Sequence, residues 1–248
     1  MVVQTASSIN KISRDLTGVR LGFASCVFRM IDILRNFPPI LCKLAGRLRS
    51  DPKSLILYIK AFVKGFFYAI FFRLFRNNVT IKLPFLVYYK VRICGPGSVF
   101  IDRGCSVYPN IFDGLSIATF SEDAQVRIGK GCSLGGVTIR CHKKIVIDDR
   151  AMFANCLIQD ALFSVSNPIN LKIHEKNYLS PLDVHIGKKV WLAGQTIVLR
   201  GSNIADESII ATGSTCFDRD ISKSHLAIGN PISRSVSVKK IEKMVEGK

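Results

Sequence analysis

Five consecutive hexapeptides, IGKKVW, LAGQTI, VLRGSN, IADESI and IATGST, run from Ile186 to Thr215 without slippage. An aliphatic residue opens each one: Ile186, Leu192, Val198, Ile204 and Ile210. A small or medium residue stands four places on: Val190, Thr196, Ser202, Ser208 and Ser214. A period of six matches neither the 3.6 residues of a helical turn nor the alternation of an ordinary strand. It matches a parallel β-helix, in which short strands form the sides of a prism and three hexapeptides make one coil of about 18 residues. The aliphatic residue is then expected to point inward and stack on its counterparts, while the small residue fits the crowded corner. Gly or Asp at the second position suits the turn. The same frame appears earlier as IGKGCS and LGGVTI from Ile128, and as IDDRAM and FANCLI from Ile147.

The expected fold class is therefore mainly β: a parallel β-helix with an α-helical segment before it and a short C-terminal helix after it. The expected boundaries are a helical region over 1–77, the β-helix over 78–222 with a loop excursion at 159–183, and a tail with the short helix over 223–248. The helical region is basic and greasy, with 13 Lys/Arg against 3 Asp/Glu in residues 1–78, compared with 22 against 15 in the rest. Leu21 to Arg49 reads as helical, interrupted at Pro38-Pro39. A second helix starts at Ser50 or Asp51 as cap, with Pro52 at its first position, and runs to about Asn77.

That second helix is nearly long enough to span a bilayer. Lys60 and Lys64 lie inside it and would be costly at the bilayer centre. With Lys53 they fall on one helical face, opposite Ile56, Phe62, Phe66 and Ile70. The pattern predicts peripheral membrane contact through residues 50–77, the lysines toward lipid headgroups, with packing against the protein or another subunit as the alternative. No nucleic-acid motif accompanies the charge, so nucleic acid is not an expected partner. The eight cysteines show no C-x-x-C pair and no zinc-like spacing, which predicts buried reduced thiols and no metal. The N-terminus lacks the charged start and apolar core of a signal peptide, which predicts a cytoplasmic protein, peripheral on the inner face of the cell membrane.

The run VHIGKKVWLAGQTIVLRGSNIADESIIATGSTCFDRDIS, followed by AIGNPISRSV, resembles the hexapeptide-repeat acyltransferases. Within them it is similar to the O-acetyltransferase branch of galactoside, maltose, capsule and O-antigen acetyltransferases. The resemblance covers about Gly129 to Val236 and implies a left-handed β-helix, an exception to the usual crossover hand. It implies acetyl transfer from acetyl-CoA, a homotrimer, and active sites in clefts between neighbouring β-helices. By position it places Gly194 and Thr212-Gly213 along the pantetheine, where absent side chains let backbone approach a ligand. Arg219 matches the usual basic residue after the last repeat. Arg234, one place beyond the usual position after GNP, is the candidate for a phosphate contact. Trp191 is shared with the family but is equally at home packing a corner.

In related enzymes the general base is a histidine in the loop, in segments like S-D-S-H-P-I. Here SVSNPI occupies that place, and Asn167 stands where the histidine would be. An asparagine amide is no base, although it can hydrogen-bond a hydroxyl or a thioester carbonyl. Three readings stay open: His174, seven residues on, takes the role; the chain binds acyl-CoA or glycan without turnover; or positioning alone sustains catalysis, base catalysis contributing about 10²–10⁴-fold. His142, His185 and His225 read as structural or solvated, and Asp160 and Asp183 bracket the excursion. The expected function is CoA-dependent O-acetyl transfer to a sugar hydroxyl in surface polysaccharide or lipid-linked glycan synthesis. The rivals are a catalytically impaired binding or assembly partner in glycan synthesis and a nucleotide-sugar N-acetyltransferase.

Overall fold

The computed structural model describes residues 52–109, 114–162 and 180–246. Asn167, His174, and the helix expected over Leu21–Arg49 lie outside these residues. Strands numbered β1 to β19 in chain order build a three-sided parallel β-solenoid.

The first face stacks β1 (Val79–Ile81), β4 (Ser98–Ile101), β7 (Gln125–Ile128), β9 (Lys144–Ile147), β11 (Val184–Ile186), β14 (Asn203–Ile204) and β17 (Asp220–Ile221), all parallel. The second carries β2 (Leu86–Val87), β5 (Ser106–Tyr108), the first half of β8 (Ser133–Cys141), the first half of β10 (Met152–Gln159), β12 (Trp191–Leu192), β15 (Ile209–Ile210) and β18 (His225–Gly229). The third carries β3 (Val91–Cys94), β6 (Leu115–Thr119), the second halves of β8 and β10, β13 (Ile197–Val198) and β16 (Thr215–Cys216). Strands β8 and β10 turn a corner without breaking, at Gly136 (φ 66°) and Asn155 (φ 53°).

The hexapeptide frame sets the core. Ile186, Leu192, Val198, Ile204 and Ile210 are each 0% exposed, stacked with Ile147, Ile128 and Ile101 in one apolar column system. Each such burial contributes about 1.5–3 kcal/mol. The residues four places on, Val190, Thr196, Ser202, Ser208 and Ser214, are buried as well. Parallel stacking continues through β18, after which β19 (Ile232–Ser237) turns back antiparallel on it and leads into α2 (Val238–Glu246).

Helix α1 (Pro52–Phe75) precedes the solenoid. Its buried stripe is Tyr58, Ala61, Gly65, Ala69 and Phe72, spaced three or four residues apart. A Cβ at Gly65 would run into the carbonyl of Phe85, so glycine lets the helix backbone close on the first coil. Phe72 joins the core beside Val79 and Phe85, and Lys64 donates to the Tyr89 carbonyl. Asn78 Nδ2 reaches the Gly95, Pro96 and Gly97 carbonyls at 3.2, 3.0 and 2.6 Å.

The packing alternative expected from the sequence does not hold for the large apolar side chains. Lys60 and Lys64 are exposed, but so are Ile56, Phe66 and Ile70, with Phe62 half-buried. The middle of the docked stripe, Ala61, Gly65 and Ala69, is made of small residues, which bring backbone close to the solenoid, while Tyr58 and Phe72 bury at its ends. Leu57, Ile59, Val63, Phe67, Phe71, Leu74 and Phe75 are exposed too. By length and composition Leu55–Phe75 is apolar enough to cross a membrane, with 28% buried inside the protein.

Candidate active site

Two edges of the prism carry the chemistry-bearing residues. The edge between the second and third faces is a stack of left-handed corners: Gly136, Asn155, Gln195 (φ 59°) and Gly213 (φ 69°). Gly194 and Thr212 precede the last two, one coil apart, and the Gly213 N–H donates to the Gly194 carbonyl at 3.0 Å. Nothing lies within 4 Å of where a Gly213 Cβ would be. At Gly194 the nearest neighbours of such a Cβ are the Ala154 carbonyl oxygen and Thr212 Cγ2, both at 3.9 Å. The edge is therefore open, lined by small groups and exposed backbone.

Arg234 lies on the closing strand of the stack. It sits on β19 opposite Ile228, and the β18–β19 ribbon is tied to the corner by Gly229 N–H donating to Ser214 Oγ at 3.2 Å. Its side chain is exposed. Arg219 lies beyond the next corner and donates through Nη1 to the Ile232 carbonyl, so one of its donors holds the ribbon. The structure thus puts Gly194, Thr212 and Gly213 on one corner, sets Arg234 on the strand that closes the stack, and gives Arg219 a structural bond to the Ile232 carbonyl.

The edge between the third and first faces is where the excursion leaves. Strand β10 ends at Gln159 and β11 resumes at Val184. The excursion's two feet are closed by Leu182 N–H donating to the Asp160 carbonyl at 3.0 Å. Asp160 is 0% exposed. Its carboxylate accepts backbone N–H bonds from His142 (2.7 Å), Lys143 (2.6 Å) and Lys144 (2.9 Å), the turn one coil earlier. Lys143 Nζ pairs with Asp183 at 2.9 Å on the other foot. Buried Gln159 caps the Ala161 and Leu162 carbonyls. A buried carboxylate persists only where donors replace its water, and this turn supplies them.

Two side chains beside this root have open valences. The His142 ring stacks on Phe120 at 4.6 Å and 12° between planes, and its Nδ1 lies 3.6 Å from Asp160 Oδ1. The register Ile139↔Ile158↔Val198 puts Cys141, Asp160 and Arg200 two residues further on in successive coils. Arg200 is 4% exposed, and its Nε and Nη1 have no partner. Burial, then the nearby Asp160, pushes the Cys141 thiol well above its ordinary range, so it stays protonated.

The remaining sequence candidates are accounted for more simply. His185 has both ring nitrogens engaged, Nδ1 at 3.0 Å from Asn203 Oδ1 and Nε2 at 3.1 Å from Asp148 Oδ2. His225 Nδ1 meets the Lys223 carbonyl at 2.8 Å. Trp191 lies on the second face, half in solvent, between Met152 and Ile209. Among the described residues no group of His, Cys, Asp and Glu could hold a metal ion. Neither the Asp160–His142 pair nor Arg200 stands out as a motif in the sequence. The signal for the pair was present: residues 142 and 160 are 18 apart, one coil.

No family model matches the chain. It is similar to proteins named "Putative acetyltransferase" from Staphylococcus aureus, 33% identical over 69 residues, 28% of this chain and 34% of theirs. A protein of the same name from Saccharomyces cerevisiae is 33% identical over 70 residues, 28% of this chain and 35% of its own. The chain thus spans about a third of the length of the curated relatives it matches. Among solved structures, a variant of AntD, an N-acyltransferase from Bacillus cereus in complex with dTDP and coenzyme A, aligns over 66% of this chain and 88% of its own. The identity there is 17%, with a TM-score of 0.37.

Proposed function

We propose that the protein is a coenzyme-A-dependent O-acyltransferase that moves an acetyl group from acetyl-CoA to a sugar hydroxyl of a surface polysaccharide or lipid-linked glycan. The observation that carries this is the open corner at Gly194 and Thr212-Gly213. It belongs to a solenoid that shares a 69-residue similarity with proteins named for acetyl transfer. A thioester arm laid along that corner meets backbone amides rather than side chains, and Arg234 offers its charge to the phosphates. In the reaction the acceptor oxygen attacks the thioester carbonyl. The new C–O bond replaces the C–S bond, and the hydroxyl proton ends on the departing CoA sulfur.

The corner and the excursion root are different edges of one prism, separated by the third face. In β8 that face spans Val137–Cys141, about 17 Å of extended chain. A threefold assembly brings one edge of each copy against another edge of the next, which supports a homotrimer with the site completed between copies. The exposed apolar residues of α1, with Lys60, Lys64 and Arg73 among them, support peripheral contact with an anionic membrane on the cytoplasmic side. A lipid-linked acceptor would be presented there.

The test is calorimetric titration with acetyl-CoA, followed by release of free CoA thiol with a panel of methyl hexopyranosides. Wild type is expected to bind CoA, and Gly213→Leu to bind at least tenfold more weakly. Absence of CoA binding at millimolar concentration would overturn the proposal. Binding without release by any acceptor would favour the second reading, a non-catalytic partner in glycan assembly, for which Asn167 at the family histidine position speaks.

A further inference from the structure

We infer that His142, oriented by Asp160, is the general base of the transfer, doing the work that the family resemblance assigns to the residue at position 167. The inference rests on the acyl-transfer reading above.

Three histidines lie among the described residues. His185 is spent between Asn203 and Asp148, and His225 folds onto its own loop at Lys223. His142 alone stands at the root of the excursion. Its Nδ1 is buried and faces one acceptor, Asp160 Oδ1, at 3.6 Å. A buried ring nitrogen needs a partner, and a tilt of about half an ångström closes this gap to hydrogen-bond length. Catalytic contacts are often this long before substrate binds. A carboxylate on Nδ1 fixes the tautomer with the proton there, which leaves the Nε2 lone pair for chemistry. The His142 side chain is 20% exposed, and Nδ1 takes no part in that exposure.

Asp160 is anchored from below by three backbone N–H groups, so it cannot swing away from the ring. Phe120 stacked at 4.6 Å blocks ring rotation. The charges nearby are arranged to leave the imidazole with one dominant partner. Lys143 is paired with Asp183, Cys141 is held neutral as a thiol 3.4 Å from Asp160, and Lys144 offers only its backbone N–H to the carboxylate. Arg200, one coil on, makes no ion pair with Asp160. In the step, Nε2 takes the acceptor hydroxyl proton as its oxygen attacks the acetyl carbonyl. The imidazolium then returns that proton to the CoA thiolate as the C–S bond breaks. The His142 proton is thus borrowed and restored, and the products are acetyl ester and CoA–SH. Asp160 is a positioning residue throughout.

The experiment compares full-length wild type with His142→Gln, Asp160→Asn and His174→Ala. Each is assayed for CoA release with acetyl-CoA and methyl hexopyranosides, for CoA affinity by calorimetry, and for fold by circular dichroism. His142→Gln is expected to lower kcat by about 10²–10⁴-fold with CoA affinity within twofold of wild type, and to erase the acidic limb of the kcat/KM–pH profile. Asp160→Asn is expected to lower kcat and displace that limb; if it does not fold, His142→Gln carries the test. Wild-type turnover in His142→Gln would overturn the base assignment and leave the acyl-transfer reading standing, as would loss of turnover in His174→Ala alone. A wild type that neither binds CoA nor releases it would overturn both.

Discussion

Arg200 is the most exposed debt in the structure at the scale of single residues. Burying its guanidinium with Nε and Nη1 unpartnered costs several kcal/mol. Arg200→Met is therefore expected to raise stability by about 1 kcal/mol or more in the free protein, read as an upward shift in the thermal midpoint. If an anionic group of a bound molecule pairs with it, the same substitution weakens that binding. The buried thiols give a second residue-scale prediction. Burial raises the Cys156 thiol from 9.0 to about 12. The unfolded chain then releases its proton first. Stability is full below pH 9 and falls as pH rises from there toward 12. Cys156→Ala should flatten that part of a urea-denaturation series against pH.

Among the elements, α1 was the least legible in the sequence. Its helical character and its start at Pro52 followed from residue types, but its docking face did not. Periodicity reads size and polarity, and the packing alternative it offers takes the large apolar side for the buried one. Here a stripe of Ala61, Gly65 and Ala69 docks because it is small, a choice that only the partner surface decides. Gly65→Val should push the helix off the Phe85 carbonyl and destabilise the protein by about 1–3 kcal/mol. The exposed phenylalanines make a separate prediction: deleting residues 1–76 should abolish the vesicle-dependent part of sedimentation with anionic phosphatidylserine vesicles, read against the same chain without vesicles. Unchanged co-sedimentation would remove the membrane role. The β-strands were legible because each hexapeptide writes its own inward residue. The excursion's chemistry was legible only in part, since a pair such as His142 and Asp160 is made by stacking, and stacking appears in sequence merely as an interval of 18.

For the whole molecule, the prism supplies three edges of different character, and the two that carry candidate chemistry do not adjoin the same cleft within one copy. Light scattering coupled to gel filtration is expected to give three times the 27.5 kDa chain mass. A monomer that still turned over acetyl-CoA would require the thioester to reach the excursion root of its own chain across the third face.

The parallel coils themselves carry no instruction to stop: the hydrogen-bonding edge of any rung can template the next, as in a growing fibre. This chain closes both ends with different devices. Helix α1 lies against the opening coil, and β19 reverses direction against β18, so that a further parallel rung finds no matching edge on that face. The length of the stack is therefore bounded by its terminators rather than by its repeats. A chain shorn of α1 is expected to form linear multimers visible by negative-stain electron microscopy, even where each rung remains well folded.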